Sequence, residues 1–245
     1  LIIGDRYEAL SAAISTVCQN IPLAHVQGGE VSGSIDESIR HAITKLAHLH
    51  FPATERSRKF ILNMGENPKT VFNFGCPSVD YIHSINFDTV TRDINEIGVG
   101  ATIDVTKPYF VCLTHPVTTD QTSQREKVKI LLSALDHLRI QTVLLWPNID
   151  AGSDEVSKAI RVHRENSNFQ YIRYVKHLDH RHFQKLLKFC TCAIGNSSSF
   201  IRDSSFSGTP VVLIGNRQIG RERGNNVVDV DYSLETIVSA IKHQI

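Results

Sequence analysis

The chain has 245 residues, of which 41% are hydrophobic and 21% are charged, and its formal net charge is +1. These proportions are ordinary for a globular protein, and no apolar run approaches the roughly 20 residues that a membrane-spanning helix needs. A charge this close to neutral gives no reason to expect nucleic acid or an anionic membrane surface as a partner. We therefore predict no nucleic-acid partner and no membrane partner.

The five cysteines are odd in number and form no CxxC pair. Three of them, Cys112, Cys190 and Cys192, lie in apolar strand-like segments. Buried free thiols are the favoured interpretation and suit a reducing cytoplasm. The sequence begins at Leu1, inside a strand-like segment and without a signal-peptide pattern, so we expect it to be a fragment.

Short apolar segments alternate with helical periods from one end of the chain to the other. The predicted strands cover residues 1–3, 22–26, 50–52, 71–74, 109–113, 142–146, 169–174, 192–194 and 210–214. The predicted helices cover residues 7–19, 36–48, 55–64, 123–138, 153–165, 180–189, 198–206 and 233–243. This alternation predicts βαβ units and parallel sheets, and therefore an α/β fold.

The helix predicted at 36–48 illustrates the local signals. Isoleucines and leucine recur on one face from Ile35 to Leu46, which predicts an apolar stripe. Ser34 with Glu37 three residues later predicts a capping box.

Residues 86–105 break the alternation, because they are polar and then glycine-rich. We interpret this segment as a linker between a first α/β domain at 1–85 and a second at 106–245. No internal repeat or low-complexity tract is evident.

The densest polar chemistry lies between His25 and Lys45, where the sequence reads HVQGGEVSGSIDESIRHAITK. Glu30 follows two glycines, and Asp36 and Arg40 lie on the opening turns of the next helix. This turn comes directly after a strand. In open α/β sheets, ligands bind at the carboxyl ends of the strands.

Each acidic residue also has a purely structural explanation. Asp5, in the sequence GDR, is suited to capping a helix, Asp36 complements a helix dipole, and Glu30 can simply be solvated. Three carboxylates on two strand-to-helix loops are nevertheless able to supply an acid and a base together. Arg40 can hold a phosphate or pair with Asp36 or Glu37.

Polar residues also follow the strands of the second predicted domain. His115 follows its first strand, Asn148 and Asp150 follow the second, and His177 follows the third. A plain turn explains the asparagine and aspartate equally well, and either histidine can be structural. Their shared position at strand carboxyl ends raises the case for a ligand site facing an interdomain cleft.

The sharpest signal in this domain is GNSSS, which contains Asn196, Ser197 and Ser198 and joins a strand to a helix. Helix amides and hydroxyls together can cradle an anion, although a capped helix without a ligand is the alternative. Asp203 follows and can accept hydrogen bonds from ribose hydroxyls, and Arg217 in RQIGR supplies a cation for a diphosphate. These signals together predict a two-domain α/β protein that binds a nucleotide-linked small molecule in a cleft.

Several ordered motifs also resemble a known family over nearly the whole chain. They are GDR, HVQGGEVSGSIDESIRHAITKLAH, FGCPSVD, THPVTTD, PNIDAGS, VKH, GNSSS and RQIGRERGNNV. The sequence resembles the hydrolysing UDP-N-acetylglucosamine 2-epimerases, the sialic-acid-pathway branch of the UDP-GlcNAc 2-epimerase family. The resemblance implies a glycosyltransferase-B architecture, with two Rossmann-like parallel-sheet domains and the active site between them. It also implies that the first domain is incomplete in this chain and that a final C-terminal segment is absent.

The resemblance further implies a reaction. UDP leaves by elimination across C1–C2 to give a 2-acetamidoglucal, and water then adds with inversion at C2 to release N-acetylmannosamine. Such chemistry needs a base for the C2 proton and an acid or cationic groups for the departing UDP. No metal and no redox cofactor is implied. The family suggests a cytoplasmic homodimer or homotetramer.

Residue roles follow from the matched motifs. Asp5 and Asp36 match acid/base positions, and His115 matches the histidine near the leaving diphosphate. Ser197 and Ser198 match phosphate-binding hydroxyls, and Asp203 stands where the family usually has a glutamate on the ribose. The further candidates for substrate contact are Arg6, Gln27, Arg40, Asn148, Asp150, His177, Asn196 and Arg217.

One departure from the family concerns the base. Gln27 stands where the family often has glutamate, and an amide cannot act as a carboxylate base. Either Glu30 takes that role or Gln27 only orients the substrate. Related hydrolysing enzymes on UDP-2,4-diacetamido-trideoxy sugars can carry histidine there, so that substrate is one alternative. The others are a non-hydrolysing epimerase and a UDP-sugar-binding module without turnover.

Overall fold

The structure, a computed structural model, describes residues 1–88, 93–117, 119, 122–166 and 170–245. Contacts between these residues divide the chain into two compact units. The first comprises Leu1–His83 with Arg217–Arg221, and the second comprises Ser84–Asn216 with Glu222–Ile245. No helix in the described part of the chain is long and apolar enough to cross a membrane.

The first unit contains a parallel three-stranded sheet with the strand order β1-β2-β3. Its elements are β1 (Ile2–Ile3), α1 (Tyr7–Cys18), β2 (Ala24–Val26), α2 (Ile35–Leu46), β3 (Leu49–Phe51), α3 (Glu55–Asn63) and α4 (Pro77–Ser84). The predicted apolar stripe of α2 reaches this unit's core at Ile43, which is fully buried with Ala13 and Leu23. Ile35, in the first turn, is instead 46% exposed.

The second unit contains a seven-stranded sheet with the order β10-β9-β8-β5-β6-β7-β4. Its elements are β4 (Val99–Gly100), β5 (Phe110–Leu113), α5 (Gln124–Leu138), β6 (Thr142–Leu145), α6 (Ser153–Asn166), β7 (Ile172–Val175), α7 (His180–Phe189), β8 (Cys192–Gly195), α8 (Ser199–Arg202), α9 (Ser204–Ser207), β9 (Val211–Ile214), β10 (Val227–Val230) and α10 (Leu234–Gln244). All neighbouring strands are parallel except β4, which runs antiparallel to β7.

Side-chain alternation along these strands divides the second core into two layers. Phe110 and Cys112 of β5 pack with α5, α6 and α10 on one face, whereas Val111 packs with α7 and α8 on the other. Burial on both faces explains why the strands read as continuous apolar runs. Cys112, Cys190 and Cys192 are buried free thiols, as predicted.

The order of the strands places a switch point between β5 and β8. The chain winds from β5 through β6 to β7 in one direction, and from β8 through β9 to β10 in the other. Ligands of doubly wound sheets bind at such a point, beside the carboxyl ends of the strands.

Several elements differ from the sequence-based predictions, among them strand β4, which was not predicted. Residues 71–74 were predicted as a strand, but they supply only an isolated bridge from Val71 to His50. Phe72 and Phe74 stack on Phe51 instead, with ring centroids 5.9 and 6.1 Å away. Helix α4 and strand β10 were missed. The predicted strand 169–174 begins at Phe169, which lies outside the described residues.

The segment 86–105, interpreted as a linker, contributes to the second unit in its described part; residues 89–92 lie outside the described residues. Ile94 and Ile103 are each 2% exposed within that unit's core. The physical reason is Arg173 of β7, whose guanidinium donates hydrogen bonds to the carbonyl oxygens of Ile94 and Ala101 at 2.8 and 3.0 Å. Satisfying a buried guanidinium requires backbone acceptors, and this segment supplies them.

Candidate functional site

The first unit places three predicted carboxylates after β1 and β2, two of them on the loops and Asp36 in the first turn of α2. His25 of β2 is fully buried and joins the two loops. Its Nε2–H donates to the carbonyl oxygen of Gly4 at 2.9 Å, and Nδ1 lies 3.1 Å from the Thr44 hydroxyl. Burial lowers the pKa of His25, so the neutral imidazole holds the residue before Asp5 in place.

Asp5 forms an ion pair with Arg40 of α2. The Arg40 Nε donates to Asp5 Oδ2 at 3.0 Å, and its Nη2 contacts the same oxygen. Arg40 also donates to the backbone carbonyl of Glu30 at 2.6 Å, and the residue is only 1% exposed. The guanidinium of Arg40 is thus engaged by groups of the protein itself, and its contact with a substrate phosphate stays a prediction. Its partner is Asp5 rather than Asp36 or Glu37.

The other two carboxylates meet arginines of the 217–221 segment, which belongs to the same unit. Arg221 Nη2 lies 3.0 Å from Glu30 Oε2, and the two side chains are 8% and 12% exposed. Arg217 Nη2 lies 3.5 Å from Asp36 Oδ2. Arg217 had been predicted to bind a diphosphate, and here it faces a carboxylate.

The start of α2 differs in detail from the predicted capping box. Ser34 is the N-cap, but its hydroxyl donates to Asp36 Oδ2 at 2.9 Å and makes no capping hydrogen bond. The Glu37 carboxylate accepts from the backbone N–H of Ser32 rather than that of Ser34. Asp36 therefore accepts from Ser34 as well as facing Arg217, which fixes the orientation of this carboxylate.

Gln27 and Arg6 occupy contrasting positions. Gln27 is 5% exposed and adopts a left-handed backbone with φ of 63°, a conformation that costs about 1–2 kcal/mol for a residue with a side chain. Its backbone N–H donates to Phe51 and its side-chain amide contacts Cys76 Sγ at 3.4 Å. Arg6 lies at the surface and pairs with Glu8 at 3.1 Å.

In the second unit, His115 and Asn196 join the ends of β5 and β8 at the switch point. The Asn196 side chain accepts from the backbone N–H of His115 at 2.7 Å and donates to its carbonyl at 2.8 Å. The backbone N–H of Asn148 donates to His115 Nδ1 at 3.1 Å. Because Nδ1 is an acceptor, the proton of the neutral ring is on Nε2, and His115 can offer a ligand one N–H donor.

A cavity of about 480 Å³ lies at the carboxyl ends of β5, β6, β7 and β8. Its volume is within the range of small-molecule sites. Three predicted residues, His115, Asn148 and His177, line it together. Asp150 lies beside them and accepts from the Asn148 side chain. Residues not predicted for the site also line it, namely Trp146, Lys176, Leu178, His180, Phe183 and Ser199.

The GNSSS turn requires its glycine. Gly195 has φ of 143°, and a Cβ there would lie 2.0 Å from the carbonyl oxygen of Leu113. Ser197 is 4% exposed, and its hydroxyl lies 3.4 Å from the backbone N–H of Ser199. Ser198 precedes α8, a helix of only four residues.

Asp203 follows α8 and is 6% exposed. The Gln184 amide donates to Asp203 Oδ2 at 2.7 Å and lies 3.2 Å from His180 Nε2. Burial raises the pKa of Asp203, and the hydrogen bond from Gln184 opposes that rise. Sequence reasoning missed Gln184, because a glutamine in a helix carries no signal until the fold brings an acid to it.

These features define a doubly wound α/β protein with a cavity beside the carboxyl ends of strands in its larger sheet. The sequence matches the family described as UDP-N-acetylglucosamine 2-epimerase over residues 1–245, and the chain belongs to that family. The fold is similar to that of UDP-GlcNAc 2-epimerase from Neisseria meningitidis, with a TM-score of 0.77 and 15% identity over 98% of this chain and 66% of that one. The predicted α/β fold class of glycosyltransferase-B type is thereby confirmed.

Two curated relatives illustrate the range within the family. The chain is 36% identical over 99% of its length to the UDP-N,N'-diacetylbacillosamine 2-epimerase (hydrolyzing) of Legionella pneumophila. It is 30% identical, again over 99% of its length, to the UDP-N-acetylglucosamine 2-epimerase of Neisseria meningitidis serogroup B. The chain spans 62% of the length of each of these relatives.

Proposed function

We propose that this protein is a hydrolysing 2-epimerase of UDP-linked 2-acetamido sugars. The observation that carries the proposal is the set of three carboxylates, Asp5, Glu30 and Asp36, each held by an arginine within one unit. Membership of the epimerase family gives the class of reaction, and the 36% identical relative is described as hydrolysing. The side-chain amide of Gln27 cannot accept a proton as a carboxylate does. These three carboxylates are therefore the candidates for the base.

The reaction begins with transfer of the C2 proton to a carboxylate. The C2–H electron pair forms the C1=C2 bond, the C1–O bond breaks, and its electrons leave with UDP. Water then adds its hydroxyl to C1, and a proton returns to C2 on the opposite face. The arginine beside each of these carboxylates keeps it ionised and fixes its direction, and it also lowers the affinity of the carboxylate for a proton. Asp5, Glu30 and Asp36 are the candidates for this base, and a carboxylate of the three that is not the base is available as the acid.

The second unit supplies hydrogen-bond donors for the nucleotide. His115 can donate from Nε2 to the departing diphosphate, because its Nδ1 is occupied by the Asn148 amide. Ser197 and Ser198 are assigned to the phosphates, and Asp203 to the ribose. Asn148, Asp150 and His177 are assigned to substrate through the cavity they share. Asn196 acts indirectly, since its amide holds the His115 backbone.

The first candidate substrate is a UDP-2,4-diacetamido-trideoxy sugar. This assignment rests on the higher identity to the diacetylbacillosamine epimerase, 36% against 30%. The second candidate is UDP-N-acetylglucosamine, with N-acetylmannosamine as product for sialic acid biosynthesis. This candidate is favoured by the long motifs that resemble those of the hydrolysing UDP-N-acetylglucosamine 2-epimerases.

The deciding experiment incubates the full-length protein with each UDP sugar in D2O and follows the products by NMR. We expect free UDP and a free 2-epimerised sugar carrying deuterium at C2. UDP-linked epimer as the sole product would instead assign a non-hydrolysing epimerase. Binding of UDP without turnover of either sugar would contradict the proposal and leave a binding module.

We further propose a cytoplasmic homodimer or homotetramer. Light scattering coupled to size-exclusion chromatography of the full-length protein tests the assembly. A monomer at micromolar concentration would contradict it.

A further inference from the structure

The ion pair between Arg221 and Glu30 is one of the least exposed in the first unit. The Nη2 to Oε2 distance is 3.0 Å, and the side chains retain 8% and 12% of their exposure. By contrast, the Arg6–Glu8 pair retains 38% and 49%. Exposed pairs contribute little, whereas removing one partner of a largely buried pair leaves a charge that water cannot reach.

Two other arginines lie near the loop that carries Glu30, and both contact other groups. Arg40 approaches the same residue, but it donates to the backbone carbonyl and directs its other nitrogens to Asp5. Arg217 faces Asp36, and the Glu37 carboxylate accepts from a backbone N–H in the same loop. Arg221 is thus the arginine that contacts the Glu30 carboxylate, whereas Arg40 contacts the Glu30 backbone.

The backbone of the 217–221 segment is fitted to the loop that carries Glu30. Gly33 N–H donates to the carbonyl oxygen of Arg217 at 3.0 Å. Gly220 has φ of 78°, and a Cβ there would lie 2.9 Å from Val31 Cγ1. A glycine at this position lets the chain turn against Val31 and deliver Arg221 to Glu30.

We propose that Arg221 is a positioning residue that orients the Glu30 carboxylate as the base for the C2 proton. This inference rests on the proposed function and adds to it a choice among the three carboxylates. The planar guanidinium fixes the direction of the carboxylate. Glu30, held in this way, supplies the carboxylate that Gln27 lacks.

A double-mutant cycle in the full-length protein tests this inference, with turnover of the accepted UDP sugar as the readout. Glu30→Gln is expected to lower kcat by about 10³-fold, in the range lost when a general base is removed. Arg221→Gln is expected to lower kcat by about 30-fold with little change in KM, and Arg221→Lys to restore part of it because the charge returns without the fork. The double variant is expected to be no slower than Glu30→Gln alone, because Arg221 acts through Glu30.

Melting temperatures, compared with turnover, distinguish a positioning role of Arg221 from a purely structural one. Arg221→Gln leaves Glu30 buried without its cation and lowers the melting temperature. Removing both charges recovers part of that stability but no turnover. Arg223→Gln is the matched control, since Arg223 pairs with the half-exposed Asp229, and its kcat is expected to stay within about twofold of wild type.

The outcomes distinguish the role of Arg221 from the proposed epimerase activity. An active Glu30→Gln variant overturns the role of Arg221. So does a double variant whose kcat lies below that of Glu30→Gln by the same factor that Arg221→Gln alone causes, because the two residues would then act independently. A wild-type protein that turns over neither UDP sugar refutes the proposed function itself, and this is seen before any variant is made.

Discussion

The candidate sites of the two units are held together by different kinds of interaction. In the first, the functional groups are charged, and carboxylates and guanidinium groups meet in pairs: Asp5 with Arg40, and Glu30 with Arg221. In the second, uncharged hydrogen-bonding groups hold the central histidine, because the Asn196 amide and the Asn148 backbone both contact His115. The first arrangement suits proton transfer, and the second suits holding a polar ligand.

The contrast shows that the type of a residue does not reveal its role. Arg40 was expected to touch a phosphate, yet it is buried and serves an aspartate. Asn196 was expected to touch the substrate, yet its amide serves the backbone of His115. In both units, a buried polar residue supports a second residue, and that second residue is the candidate for chemistry.

The largest effect is expected from Asp36→Asn in the first unit. We expect kcat to fall by about 10³-fold, because an amide cannot exchange a proton as a carboxylate does, while UDP still binds. Product NMR and calorimetry with UDP measure the two effects. Asp229→Asn, in an exposed pair, is the control. An active Asp36→Asn enzyme would remove this residue from the mechanism.

In the second unit, Gly195→Ala tests whether the turn after β8 is as tightly determined as the structure indicates. A Cβ at 2.0 Å from the Leu113 carbonyl oxygen forces the backbone to move, and we expect a loss of about 3 kcal/mol in the free energy of unfolding. Gly208→Ala is the matched control, because φ is 67° there but nothing lies within 4 Å of the added Cβ. Its cost should be about 1 kcal/mol. Urea denaturation measures both free energies of unfolding. Equal losses in the two variants would show that the contact of the added Cβ with the Leu113 carbonyl oxygen is unimportant.

A smaller effect is expected from Gln184→Leu. Losing the hydrogen bond to Asp203 should raise the Kd for UDP about tenfold, the scale of a hydrogen bond to a charged group. The pKa of Asp203, already raised by burial, should rise further, so the loss should grow as the pH falls. Calorimetry at two pH values measures this, with the exposed Gln170→Leu as control. An unchanged affinity would mean that Asp203 needs no support.

The smallest expected effect concerns the pH dependence of stability in the first unit. Burial holds the pKa of His25 below its usual 6.5, so below that value the unfolded chain binds a proton that the folded chain does not. The contribution of His25 is therefore present above pH 6.5 and is lost as the pH falls toward the folded-state pKa. His25→Gln should reduce the slope of melting temperature against pH below pH 6.5, because the buried imidazole that the unfolded chain protonates is gone. The exposed His243→Gln should leave the slope unchanged, and a slope equal to wild type in His25→Gln would contradict this assignment.

Much of the fold could be predicted because it depends on local pattern. The alternation of apolar strands with helical periods gave the strands of both sheets except β4 and β10. Residues 71–74 have the same alternation, yet their phenylalanines stack with Phe51 instead of completing a strand. Pattern alone cannot separate an extended segment with one bridge from a paired strand, because pairing depends on a neighbour that is distant in the sequence.

The sequence by itself determined the family, the α/β class and the stretches of chain that carry chemistry, because motifs and periodicity are local. Only the tertiary structure decided the partners of each charged group. Arg221 and Glu30 are separated by most of the chain, and no spacing rule relates them before the 217–221 segment meets the loop after β2. Ion pairs and hydrogen bonds act over a few ångströms, so which residues support which depends on how the chain is folded.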